Sequence, residues 1–172
     1  MAGKDINITI TVPARFVPTF NPAVLMKLLA LRLTSFMTTR FENDGAVPEY
    51  GLPAWAPLRP STISFRRKGS SKPLQDTGGL RASYLAQPKI SSNSVEVGSN
   101  KQYASFHEDG TQPYTIVPKT KKVLAAQGPG GWVVFGKIVH HPGLPARPVL
   151  PSLSIAERLA LEEIESMFEA GP

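Results

Sequence analysis

The sequence predicts an α+β fold: a small antiparallel or mixed β-sheet packed by a long N-terminal helix and a C-terminal helix, with long Pro/Gly-rich extended loops. Three observations lead there. Ile6, Ile8, Ile10 and Val12 alternate with Asn7, Thr9 and Thr11, the period of a half-buried strand. From Pro22 to Phe41 the apolar residues recur at spacings of three and four, the period of a helix. Finally, 17 prolines and 14 glycines among 172 residues leave much of the chain unable to join a helix interior or a central strand. The length suits a single domain spanning residues 1–172.

The elements follow in order. Asn21 before Pro22 reads as a helix cap with proline at the first helical position, and Leu25, Leu28, Leu29, Arg32, Leu33, Phe36, Met37 and Arg40 form the inward row. Between residues 43 and 75 turn residues dissolve the pattern, which predicts a long assembly loop with at most a short helical turn at Ser61 to Arg67. A connection of this length usually means function, disorder, or ordering by a neighbour. Asp76 or Thr77 should cap a short helix beginning near Leu80. Ala86 to Ile90 and Ser94 to Gly98 flank Ser91-Ser92-Asn93 as a hairpin. Tyr103 to Glu108 reads as another short helix, stopped by Asp109-Gly110, with Tyr103 and His107 on one face beneath the sheet. Strands are expected at Thr115 to Val117, Lys122 to Ala125 and Gly131 to Val139. Pro142, Pro145, Pro148 and Pro151 recur every third residue, predicting a polyproline-like extended connector over 140–152. Ser152 or Ser154 then caps a final helix ending at Met167 or Phe168, with Leu153, Ala156, Leu159, Ala160 and Ile164 apolar.

Composition narrows the chemistry. The chain has no cysteine, so disulfides, thiolate metal sites and a thiol nucleophile are excluded. The opening residues hold too short an apolar run for a signal peptide, and no stretch has the roughly 20 apolar residues of a membrane span, so a soluble protein without a membrane partner is expected. Adjacent strand residues point to opposite faces, which arranges His140 and His141 poorly for one metal even with His107 and Glu108 nearby. No G-x-S-x-G nucleophile turn occurs, and Glu162 and Glu163 do not share a helix face as a catalytic pair would. Gly128-Pro129-Gly130-Gly131 precedes a strand, whereas phosphate loops follow one. The expectation is a protein with no enzymatic activity, no cofactor and no metal.

The net charge of +6 is uneven. Eight basic residues against two acidic ones lie between Arg59 and Lys101, while the last twenty residues hold five glutamates and one arginine. This predicts internal pairing or complementary contacts between copies. Arg66-Arg67-Lys68, with Phe65 available for stacking, also suits an alternative reading as a basic nucleic-acid-binding module.

The order of motifs is more specific than any one of them. Trp55-Ala56-Pro57-Leu58 with Ser61-Thr62, then Pro73-Leu74-Gln75-Asp76-Thr77-Gly78-Gly79-Leu80-Arg81-Ala82-Ser83, Val95-Glu96-Val97-Gly98-Ser99, Tyr103-Ala104 with His107 and Gly110-Thr111, and Leu144-Pro145-Ala146-Arg147-Pro148 appear in sequence. This series, over about residues 22–168, resembles the virion morphogenesis (tail completion) family of tailed bacteriophages, Mu-like phages included. Glu108-Asp109 departs from the family pattern, which favours a less acidic pair there. The resemblance implies a structural neck protein at the head–tail junction, an α+β subunit assembled into a ring, often a hexamer, around the DNA channel. It implies neighbours among neck, tail-terminator, tail-tube or head-completion proteins, DNA passing through, and a place in the virion after assembly in the host cytoplasm. Candidate interface residues are Trp55, Phe65, Arg66, Arg67, Lys68, Pro145, Arg147 and Pro148. Thr77, Gly78, Gly79, Leu80, Tyr103, His107 and Gly110 are the structural motif. Eight of the seventeen prolines fall in the two extended segments, Pro48 to Pro60 and Pro142 to Pro151, which reads as assembly material.

Overall fold

A computed structural model describes residues 5–11, 21–66, 70–128 and 130–169. Strand β1 (Ile6–Thr11) alternates half-buried and exposed as its sequence alternates; Val12 lies outside the described residues. Helix α1 (Pro22–Glu42) begins where the Asn21 side chain accepts a hydrogen bond from the Ala23 amide at 3.1 Å. Its second half is rich in β-branched residues, which are mediocre helix formers. Thr34, Thr38 and Thr39 answer this by donating their hydroxyls to carbonyls one turn back at 2.8–3.0 Å. The buried stripe is Leu25, Met26, Leu29, Ala30, Leu33, Phe36, Met37, Arg40 and Phe41. Arg32 sits at its exposed edge.

Residues 43–75 depart from the expected loop that waits for a neighbour. A 3-10 turn at Pro48–Tyr50 and the short helix α2 (Pro60–Ser64) break it up, and Val47 bridges Leu52. Trp55 is buried, donating its amide to Asp44 O at 2.7 Å and packing edge-on to Phe41 at 5.9 Å. Within it Trp55 and Leu74 pack into the core of their own chain.

Helix α3 (Gly79–Tyr84) has Gly78 at its cap position at φ 81°, a left-handed turn that favours glycine, while the preceding Thr77 hydroxyl accepts from the Gly79 amide at 3.5 Å. Strands β2 (Lys89–Ile90) and β3 (Ser94–Ser99) form the expected hairpin with a shorter first arm. Pairing of β1 with β3 puts β3 at the centre of an antiparallel sheet ordered β1-β3-β2. Its Ile8, Ile10, Val95 and Val97 face joins the core built on α1.

Helix α4 (Ala104–Glu108) follows, then β4 (Tyr114–Ile116), β5 (Leu124–Gly128), β6 (Gly131–Gly136) and β7 (Val139–His141). The single strand expected at Gly131 to Val139 is interrupted, because Gly136 takes φ 94° and the two halves pair differently. β5 and β6 make one two-stranded sheet, β4 and β7 another. Helix α5 (Leu153–Glu169) starts where Ser152 Oγ accepts from the Ile155 amide at 3.4 Å and packs on α1 through Ala156 and Leu159. Glu162 fastens it, accepting from Arg32 at 2.9 Å, Tyr50 at 3.0 Å and Arg158 at 2.8 Å. Among the described residues no ion pair joins the basic 59–101 stretch to this acidic helix. Among the described residues the charge asymmetry is thus not resolved by pairing.

Gly98 sits opposite Asn7 with no room for a side chain: a Cβ there would meet the Ile6 carbonyl and the Asn7 side chain. Gly98→Ala is expected to cost about 1–3 kcal/mol through strand displacement, read as a lower urea midpoint with unchanged slope.

Candidate functional site

The connector after β7 does not form an outward proline rod. Arg147, Val149 and Pro151 are buried while Ala146, Pro148 and Ser152 are exposed, a period of two, and Gly143 at φ 83° breaks any three-fold helix. An extended, partly buried segment needs partners for its backbone, and among the described residues no strand pairs with it over Arg147 to Pro151. Side chains do so instead. Arg40, from the buried stripe of α1, donates to Pro148 O through Nε at 3.2 Å and again through a terminal nitrogen, and Trp55 Nε1 donates to the same oxygen at 3.0 Å. Glu108, at the end of α4, accepts from the Val149 amide at 3.1 Å, from the Leu150 amide at 3.4 Å and from Tyr84 Oη at 2.6 Å. The Arg147 amide donates to His107 O at 2.6 Å, and its guanidinium reaches Ala56 O at 2.9 Å.

Burial sets the electrostatics of this clamp. It pushes the Arg40 pKa down to about 10, opposed by the nearby Glu108 charge, so the guanidinium stays protonated at neutral pH. Burial raises the Glu108 pKa, against the lowering influence of Tyr84, the two amides and Arg40. Its own burial first, and then the same carboxylate, push the Tyr84 phenol far up. Burial first, then the neighbouring Arg147 charge, lowers the His107 pKa.

Around this clamp lies an open cleft of about 890 Å³. Into it the fold gathers the motifs that are scattered along the sequence: Ala56 to Leu58, Ser61-Thr62, Asp76 to Gly78 with Leu80, Tyr103 with His107, and Leu144-Pro145 with Arg147. Thr111 exchanges backbone hydrogen bonds with Leu144 at 2.9 and 3.2 Å, holding the turn after Gly110 against the connector. Tyr103 and His107 do share a face, edge to face at 6.2 Å, but they line the cleft and not the underside of the sheet. His107 Nδ1 and Asp76 Oδ1 are buried with no partner among the described residues.

Several expected interface residues change role. Trp55 and Arg147 are 7% and 5% exposed and spent on the clamp, so neither offers a surface in this subunit. Pro145 and Pro148 keep exposed rings. Phe65 is exposed and meets Phe135 at 6.2 Å. Arg66 folds back to donate to Ser70 O and Lys72 O at 2.8 and 2.6 Å, which occupies one of its terminal nitrogens; Arg67 and Lys68 lie outside the described residues. Thr77 is exposed beside the cleft and Gly79 opens α3. Arg40 and Glu108 were not singled out as site residues, although an arginine in an apolar helical row is a signal that a buried acceptor awaits it. Among the described residues no three His, Asp or Glu side chains gather as a metal site. His141 stacks on Tyr114 at 4.8 Å and accepts from the Gly143 amide at 3.1 Å, whereas His140 faces Thr115 at 3.2 Å.

Removing the Glu108 carboxylate strands two amides and a phenol. Glu108→Ala is expected to destabilise the fold by about 3 kcal/mol, measured by chemical denaturation. The pH dependence has a definite sign. His107 holds its proton less readily folded than unfolded, so the unfolded chain binds more protons as pH falls below 6.5, and stability drops there. Glu108, raised from 4.5, works the other way and adds stability as pH falls through its folded pKa. His107→Gln should therefore flatten the decline in urea midpoint just below pH 6.5, with the effect of Glu108 left in place.

A family model described as the phage virion morphogenesis family matches residues 13–168. No curated protein and no solved structure matches the chain.

Proposed function

This chain belongs to the phage virion morphogenesis family, and from that membership we propose that it is a structural subunit of the phage neck, acting in tail completion and in stable joining of heads to tails as part of a ring. A virion-associated assembly role is the family's own. The finer reading is carried by one observation: most of the ordered motifs converge on a cleft walled in part by connector residues Pro142 to Pro145 and Arg147, and Arg40, Trp55 and Glu108 hold the next residues of that connector. These side chains bind the chain's own backbone, the work of a scaffold that presents fixed surfaces to neighbours. Exposed Pro145, Tyr103 and Thr77 rim that cleft as a seat for a neighbouring neck, tail-terminator, tail-tube or head-completion protein.

The unresolved charge asymmetry supports assembly with copies of itself, since a ring brings two different faces of each subunit together. A hexamer around the DNA channel is the arrangement we favour. No helix among the described residues is long and apolar enough to cross a membrane. The protein is read as non-enzymatic.

Antibody labelling of purified particles is expected to mark the head–tail junction, and particles made without the protein should yield separate filled heads and tails. Absence of the protein from purified particles would overturn the reading.

A further inference from the structure

The β5–β6 hairpin carries an apolar face that is exposed among the described residues. In the observed register Gln127 pairs with Trp132, Ala126 with Val133 and Ala125 with Val134, so Trp132 and Val134 share one face and Val133 and Phe135 the other. The second face is steadied by Phe65, which meets Phe135 at 6.2 Å and closely approaches Gly128. The first face stays in water, with Trp132 74% and Val134 63% exposed. An isolated two-stranded sheet is marginal in water, and a large exposed aromatic on one is a feature of interfaces. Exposed Lys119, Lys121, Lys122 and Lys137 flank it, and no acidic residue occurs anywhere from Gly110 to Ala156. Among the described residues none of these lysines has an ion-pair partner.

The complementary surface is the outer row of α5. Leu153 and Leu161, 74% and 59% exposed, alternate at four-residue spacing with exposed Glu157 and Glu165. Glu162, on another side of the helix, takes the ion pairs to Arg32 and Arg158, whereas Glu157 and Glu165 have none among the described residues. The row from residue 153 to 165 runs about 18 Å, close to the roughly 20 Å of a six-residue strand. Both surfaces are exposed in the same subunit, so they do not cover one another within it.

We propose that the β5–β6 hairpin of one copy lies across the outer face of α5 of the next, Trp132 and Val134 packing on Leu153 and Leu161 while the lysines meet Glu157 and Glu165. The contact joins two different patches, so it propagates head to tail and closes into a ring if the rotation allows. It rests on the ring-forming reading above and names the interface of that ring.

The test is a charge swap read by native mass spectrometry. Wild type is expected to form a closed oligomer. Lys121→Glu with Lys122→Glu, and separately Glu157→Lys with Glu165→Lys, should each weaken association at least tenfold, and the four changes together should restore it. Trp132→Ser should weaken it as strongly. All these positions are exposed, and circular dichroism checks that each variant is folded. Since the chain has no cysteine, a mixture of Val134→Cys and Leu161→Cys proteins should form a disulfide between chains. A wild-type oligomer that survives both reversals would overturn this contact and leave the ring reading standing. A wild type that is monomeric both in solution and in particles overturns both. DNA binding that the lysine reversal abolishes and the four-fold swap does not restore, with oligomer mass unchanged, would assign the hairpin to nucleic acid instead.

Discussion

A proline-rich segment that lies half-buried along a protein core poses a specific difficulty, because its inward carbonyls and remaining amides need partners that a strand ladder would otherwise supply. Here the Pro148 carbonyl and the Val149 and Leu150 amides are met by side chains: Arg40 and Trp55 from one side, Glu108 from the other. Everything near the cleft depends on that exchange. It requires the last turn of α1, the loop holding Trp55 and the end of α4 to converge on one stretch of backbone. The aromatic cluster of Phe41 with Trp55, edge-on at 5.9 Å, and Tyr84, tilted at 6.0 Å, fills the space between them.

Burying a guanidinium and a carboxylate is expensive unless each is fully engaged. The arrangement meets that condition mostly with backbone groups: among the described residues Arg40 and Glu108 form no direct ion pair, and they act across the connector on each other's charge. A clamp of this kind has one geometry, since a shift of the connector by a residue would break all its bonds at once. These bonds tie the connector at Pro148 to Leu150 to three separate elements of the fold. One terminal nitrogen of Arg40 is left without a partner among the described residues, a small cost beside the groups that are satisfied.

The distribution of charge completes the picture of an assembly subunit of the phage virion morphogenesis family. Glu162 is spent inside the fold, tying α5 to α1 and to Tyr50. The lysines of residues 119–137 and the outer glutamates of α5 are not, and they flank the most exposed apolar side chains of their respective elements. Opposite charge combined with apolar surface on separate faces is what directional, repeating association needs.

Local periodicity made much of the fold legible. The alternation of Ile6, Ile8 and Ile10, the three-and-four spacing of α1 with its Asn21-Pro22 start, the Ser91-Ser92-Asn93 hairpin and the last helix each carry their signal within a few consecutive residues. The motif order likewise pointed to the family without any contact being known. The connector misled because prolines every third residue suggest a rod, whereas burial follows period two through Arg147, Val149 and Pro151. Trp55 misled for a related reason: an aromatic in a proline-rich loop looks available until a core position is found for it. Arg40 and Pro148 lie 108 residues apart, and Glu108 and Val149 41 apart. The sequence alone determined the helices, the strands, the absence of thiol chemistry and the uneven charge, all properties of neighbours along the chain. Only the tertiary structure decided which polar groups are buried together, because a hydrogen bond between distant residues leaves no trace in the spacing of either.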